Sequence, residues 1–417
     1  HAPAGAGKNT KSAVVSREPF QIPGFKAAAA ATGMRYKDRI DCAIIVADDS
    51  GGAATAGVFT TNRFCAAPVE ICKERLLKNR RSKGVVVNAG IANACTGEEG
   101  LRRAAEMTRM TAAALSVQEA DILVASTGVI GQQIRLDPLA EVLPQLVGSL
   151  RGDGWADAAR AIMTTDLVPK MASACVEIDG KSVTIGGIAK GSGMIAPNMA
   201  TMLAFVGTDI AIDPVLLQEV VAEETASSFN CVTVDGDTST NDTLLVMASG
   251  KAGNGLLRSK ESPEAQAFAR VLNAVLLDLA KQIVMDGEGA TKLIEVRVAG
   301  AADEASAKSV AMTVANSPLV KTAFFGQDAN WGRIVAAAGR AGVPLDPSQV
   351  TLHFDEVCVF RDGTPVAGDE VEAEASRVFK QKEIVVTLNL GMGSAAMSVY
   401  TCDFSFDYVK INASYRT

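Results

Sequence analysis

Histidine is nearly missing from this chain. Of 417 residues, only His1 and His353 are histidine. A Ser-His-Asp triad would have to use His353, which lies in the alternating stretch TLHFDEVCVF (351–360) and reads as a strand residue. Histidine-rich zinc sites are excluded by count. Cysteine is sparse too. Cys42, Cys65, Cys72, Cys95, Cys175, Cys231, Cys358 and Cys402 are irregularly spaced, and none forms a CxxC pair. They read as buried thiols in a reducing compartment, not as a disulfide framework. No apolar run reaches the roughly 18 residues of a membrane span. The opening stretch HAPAGAGKNT lacks the apolar core of a signal peptide, and its first residue is not methionine, as expected of a start that is either processed or introduced for expression. No run of lysine or arginine occurs and the formal net charge is −7, so nothing attracts nucleic acid or an anionic membrane. The expected setting is the cytoplasm, or the mitochondrial matrix in a eukaryote.

What is present fits a globular protein. Hydrophobic residues make up 48% and charged residues 21%, and a chain this long is expected to divide into roughly two to three domains. CAIIVAD (42–48), TAGVFTT (55–61), GVVVNAG (84–90) and DILVAST (121–127) read as strands, the last stopping at Gly128. Thr96 and Glu99 fit a capping box for a helix through about 115. Helices are expected near 137–150 and 154–164. Asp179-Gly180 between CVEID and SVTIGG marks a hairpin.

A loop rich in glycine and small residues, KGSGMIAPNMA (190–200), precedes the apolar strand TMLAFVGTD (201–209) and the helix of 213–229. Ser262 and Pro263 fit the start of a long helix ending near Met285. A domain boundary is expected at DGEGAT (286–291). Strands over 292–299, helices over 303–340 and several strands over 350–412 follow. The class is α/β or α+β with mixed sheets, without internal repeats.

Familiar ligand motifs fail on inspection. Gly180-Lys181-Ser182 resembles the end of a phosphate-binding loop, but Cys175 stands where its first glycine is required. Asp235, Asp237 and Ser239 start like a calcium loop, yet Thr240 replaces the glycine and Val246 the glutamate. Gly391-Met392-Gly393 leads into strand-like sequence, not into the helix that a dinucleotide site needs.

Without histidine, a hydrolase or transferase needs another base. An N-terminal threonine supplies one, because its own α-amine accepts the hydroxyl proton. Such a residue must be released by backbone cleavage, which calls for a strained loop followed by a rigid element. Residues 190–209 have that form, with Thr201 at the junction. By pattern alone, Thr201 also fits an ordinary β-branched residue at a strand start.

The stretch KGSGMIAPNMATML (190–203) resembles the processing site of the ornithine acetyltransferase family. So do STGVIG (126–131), MTTD (163–166), VDGDTSTND (234–242), DGEGATK (286–292), GQDANWGR (326–333) and YVKINASYRT (408–417), in order along almost the whole chain. The resemblance implies an α/β fold of the self-processing two-domain type, with a large domain over 1–285 and a smaller one over 286–417. It implies cleavage between Ala200 and Thr201 into an α chain (1–200) and a β chain (201–417), assembled as an α2β2 heterotetramer. Thr201 matches the nucleophile and base, Thr127 and Gly128 the oxyanion hole, and Thr164, Lys190, Thr201, Glu288, Asn412 and Thr417 the substrate contacts, with Thr165 adjacent.

The implied reaction is ping-pong transfer of acetyl from N2-acetylornithine to glutamate in arginine biosynthesis. It needs no metal or organic cofactor, with acetyl-CoA as a possible second donor. Lys190 and Glu288 suit the charged ends of an amino-acid substrate, either way round. The alternative is an aminopeptidase or amidase of related fold, with water as acceptor.

Overall fold

The computed structural model describes residues 13–196 and 202–414. Ala200, Thr201 and Thr417 therefore lie outside the described residues. The strands are β1 Phe25–Ala30, β2 Cys42–Ala47, β3 Ala53–Phe59, β4 Arg81–Ser82, β5 Gly84–Ile91, β6 Ile122–Val129, β7 Lys170–Ile178, β8 Lys181–Lys190, β9 Leu203–Thr208, β10 Thr243–Ala248, β11 Leu293–Ala301, β12 Thr351–Phe354, β13 Val357–Arg361, β14 Thr364–Pro365, β15 Glu383–Asn389 and β16 Ala395–Cys402. The helices are α1 Ala67–Lys78, α2 Gly97–Leu115, α3 Leu136–Gly148, α4 Trp155–Ala161, α5 Pro214–Ala226, α6 Pro263–Met285, α7 Glu304–Ala315, α8 Pro318–Phe325, α9 Trp331–Gly339, α10 Asp369–Phe379 and α11 Phe406–Ser414.

Three sheets result, ordered β1-β2-β5-β6, β4-β3-β10-β9-β8-β7 and β14-β13-β12-β15-β11-β16. Each mixes parallel and antiparallel pairs, as in the parallel β5–β6, β9–β10 and β11–β15 ladders. The fold is mixed α/β, as the sequence implies. The third sheet is built only from strands after residue 292.

The second sheet is buried on both faces, and the period of two in β9 and β10 sorts their side chains. Leu203, Phe205, Leu245 and Met247 join the core of the first sheet and α1–α4. Ala204, Val206, Leu244 and Val246 join the core under α5 and α6. The expected hairpin forms: Asp179 and Gly180, both at positive φ, connect β7 to β8. The helix starts at α5 and α6 are capped by side chains, with Asp213 accepting from Val215 and Leu216 and Ser262 accepting from Ala265.

Several boundaries differ from the reading of the sequence. The capping box does not form: Thr96 bonds Asn93, and Glu99 is drawn away by Arg102 and Arg103. β6 does not stop at Gly128 but runs to Val129, because its pairing with β5 continues through Gly90–Gly128 and Ile91–Val129. Lys190 does not open a loop; it ends β8, paired with Leu203. The run of strands over 350–412 is interrupted by α10 and closes on α11.

Candidate active site

Where β6 and β8 end, they place two buried polar side chains side by side at a cavity lined largely by polar residues. Thr127 and Lys190 are 1% and 2% exposed. The Lys190 ammonium donates to Thr127 Oγ1 at 3.2 Å and to Thr164 Oγ1 at 2.9 Å. Its counter-charge is Asp166, with Oδ2 at 3.9 Å. Burial pulls the Lys190 amine below the usual lysine range, and Asp166 opposes that pull.

Asp166 is held in turn by Lys170 Nζ and Gly191 N, each 2.7 Å from Oδ1, and by Thr164 N, 3.0 Å from Oδ2. Burial alone would raise this carboxyl, but Lys190, Lys170 and the hydrogen bonds hold it well below the ordinary carboxylate range. Lys170 also meets Asp286 Oδ2 at 2.7 Å. Two lysines and two aspartates thus balance in a buried network.

Glu288, in the turn after α6, lines the same cavity. Its Oε1 accepts from Thr165 Oγ1 at 2.9 Å and its Oε2 from Asn412 Nδ2, on α11, at 2.7 Å. Thr165 Oγ1 also lies 2.6 Å from Ser192 Oγ. A side chain at Gly193 would overlap the Glu288 carboxylate, so glycine there is what lets the 191–196 segment pass.

The segment before β10 closes the wall. Asp235 accepts from Met194 N at 2.7 Å, from Ile195 N at 2.9 Å and from the Tyr408 hydroxyl at 3.3 Å. Asn241 donates to Ala92 O and Ser126 O at 2.6 and 2.8 Å, which ties this segment to the backbone just before Thr127. Asp242 Oδ1 accepts Met202 N–H at 3.0 Å. The enclosed space is about 230 Å³, room for a small amino-acid derivative.

Of the expected site residues, Thr127, Gly128, Thr164, Lys190, Glu288 and Asn412 all line this one cavity. Thr165, read as the neighbour of a contact, lines it as well and bonds Glu288. The sequence reading gave no role to Asp166, Ser192, Asp235, Asn241 or Tyr408. All five sit in motifs already quoted, Asp166 in 163–166, Ser192 in 190–203, Asp235 and Asn241 in 234–242 and Tyr408 in 408–417, and a polar residue within a site motif is the signal that would have found them. His353 is on β12, paired with Thr387 and Cys358, and is not among the cavity-lining residues.

A chemistry follows from the arrangement. Thr127, with its hydroxyl, and Gly128 line the cavity near the end of β6, together with a buried cation, Lys190, and a carboxylate, Glu288. Such a set can hold a zwitterionic ligand and stabilise a developing oxyanion.

The whole chain has close counterparts in sequence. The model of the ArgJ family matches residues 26–417. A protein of Desulfotalea psychrophila described as arginine biosynthesis bifunctional protein ArgJ is 49% identical over 398 residues, 95% of this chain and 100% of its own. A Symbiobacterium thermophilum protein of the same description is 52% identical over 364 residues, 87% of this chain and 90% of its own. Among solved structures, an ArgJ chain from Bacillus halodurans is 42% identical, with a TM-score of 0.49, over 51% of this chain and 98% of that one. An ornithine acetyltransferase from Mycobacterium tuberculosis, solved with ornithine, is 32% identical, with a TM-score of 0.40, over 46% of this chain and 100% of that one. With the family model spanning nearly all of it and relatives near half identity end to end, this chain belongs to the ArgJ family.

Proposed function

We propose that the chain is a glutamate N-acetyltransferase of arginine biosynthesis, an ornithine acetyltransferase that cuts itself between Ala200 and Thr201. The observation that carries this reading is the presence, in one small cavity, of both the Lys190 ammonium, bonded to Thr127, and the Glu288 carboxylate, bonded by Asn412. N2-acetylornithine and glutamate both carry charged groups that such a pair recognises. Membership of the ArgJ family supports the reaction.

In the proposed mechanism the Thr201 hydroxyl attacks the acetyl carbonyl of N2-acetylornithine, and the Thr201 α-amine takes the hydroxyl proton. The reference pKa of such an amine is about 8, so part of it is neutral at pH 7. The tetrahedral oxyanion lies against the Thr127 hydroxyl and the Gly128 N–H. The C–N bond breaks, the amine returns the proton to the leaving nitrogen, and ornithine departs from an acetyl ester on Thr201. Glutamate repeats the attack in reverse and leaves as N-acetylglutamate. Thr164, Lys190, Glu288, Asn412 and Thr417 hold the substrates. Acetyl-CoA is the second donor that a bifunctional enzyme of this kind would use.

The same reading includes domains of 1–285 and 286–417, an α2β2 assembly and a cytoplasmic location. Among the described residues no helix is long and apolar enough to cross a membrane.

Mass spectrometry of the purified protein tests the core of the proposal. Two fragments are expected, the second beginning Thr-Met-Leu-Ala-Phe and gaining one acetyl group from N2-acetylornithine. Glutamate should then remove that group as N-acetylglutamate. An uncleaved chain, or an acetyl group lost only to water, would reject it; the second outcome would indicate an amidase.

A further inference from the structure

Lys190 is built into the protein more firmly than a residue that only greets a substrate. An ammonium has three N–H donors and no acceptor. Two of the three are engaged internally, by Thr127 Oγ1 at 3.2 Å and Thr164 Oγ1 at 2.9 Å. Because Lys190 can only donate, Thr127 Oγ1 must receive, and its own proton is left to point elsewhere. Among the described residues that proton meets no acceptor, and Thr127 lines the cavity. A hydroxyl that accepts from a cation becomes a stronger donor through its own proton.

We infer that Lys190 serves the acyl-transfer step itself: it orients and polarises the Thr127 hydroxyl toward the oxyanion, and Asp166 is the positioning residue that holds the lysine there. The inference rests on the acetyl-transfer reading above. It adds a rate-determining role for a residue that the resemblance assigns only to substrate contact.

The surroundings agree. Asp166 is 3.9 Å from the lysine and is itself fixed by Lys170, Gly191 N and Thr164 N. The charged groups acting on Lys190 are Asp166, Lys170, Glu288 and Asp242. Burial lowers the amine's proton affinity and Asp166 sustains it, so the ammonium depends on that carboxylate.

The test is a double-mutant cycle on acetyl-enzyme formation, with Lys190→Met, Thr127→Val and both together, at saturating N2-acetylornithine. Removing one oxyanion donor costs on the order of 100-fold or more in other enzymes. If the lysine works through Thr127, Lys190→Met should cost a comparable factor in kcat with Thr127 present, and only about 3-fold or less in the valine background. Equal losses in both backgrounds, or a loss confined to KM, overturn the inference.

Thr127→Val is nearly isosteric and should fold even if Lys190→Met does not, and a pH profile then decides. The wild-type rate should fall at alkaline pH as Lys190 loses its proton, and Asp166→Asn should shift that fall to lower pH. The fall should vanish in Thr127→Val; its persistence there rejects the coupling. Wild-type protein that forms no acetyl-enzyme at all would instead reject the acetyl-transfer reading.

Discussion

Two buried aspartates beside the site carry opposite signatures. Asp242 is fully buried, with Oδ1 accepting Met202 N–H and Oδ2 meeting no partner among the described residues. Burial pushes this carboxyl well above the ordinary range. Asp166 lies well below it, because Lys190 and Lys170 overcome the burial. The signs of their linkage to stability follow. Asp166 contributes stability above its unfolded value of about 3.9, and that contribution is lost as pH falls below it. Asp242 favours the fold while protonated, and its contribution is lost as pH rises from about 4 through its raised folded value. Urea unfolding across pH 3 to 8 should therefore show Asp166→Asn losing most above about pH 4, and Asp242→Asn removing part of the decline on the alkaline side. Two variants with the same pH slope would contradict the assignment. Asp242→Ala removes the acceptor of Met202 N–H altogether and should cost about 1–3 kcal/mol in the same assay.

Strands and helices were read well where burial writes a simple period. β2, β5 and the hairpin at Asp179-Gly180 lie close to where apolar runs and turn residues put them. The misses also have causes. α11 has no buried residue, so no apolar stripe announces it; it is anchored instead by polar contacts such as Asn412 with Glu288. α10 buries only Ala375, Val378 and Phe379, all in its second half. The Thr96 capping box failed because Asn93 and two arginines compete for its members. In the site, Lys190 and Glu288 look like solitary charges in the sequence, and only the family resemblance singled them out. Their proximity is a product of chain topology, which local pattern does not contain.

The glycine pair shows what an element can demand. Gly90 and Gly128, at φ +112° and +133°, face each other across β5 and β6, and a Cβ at Gly128 would overlap the Gly90 backbone. Gly128→Ala must therefore move the end of β6 and its N–H, so acetyl transfer should drop steeply. The cap substitution Ser262→Ala should by contrast cost about 1 kcal/mol in urea and leave the kinetics unchanged. Unaltered kcat in Gly128→Ala would show that the strand end is not under constraint.

For the whole molecule, the strand order decides what the proposed self-cleavage would do. A cut between Ala200 and Thr201 would put β1–β8 in one fragment and β9–β16 in the other. In the second sheet, β10 and β9 of the second fragment lie between β3 and β8 of the first. β3 pairs along six residues of β10, and β8 along six residues of β9. The second fragment thus supplies the centre of a sheet whose two flanks belong to the first, and two hydrophobic cores contain residues of both. Separation would expose four strand edges and much of both cores, whereas the cut itself removes one peptide bond outside those ladders. The cleaved protein should elute from gel filtration as one species while giving two bands on a denaturing gel. It should come apart only at denaturant concentrations that also abolish its circular dichroism. Fragments 1–200 and 201–417 expressed separately should each fail to fold alone, and neither should form an acetyl-enzyme. A soluble, cooperatively unfolding 201–417 fragment on its own would show that the interleaving does not bind the two pieces into one folding unit.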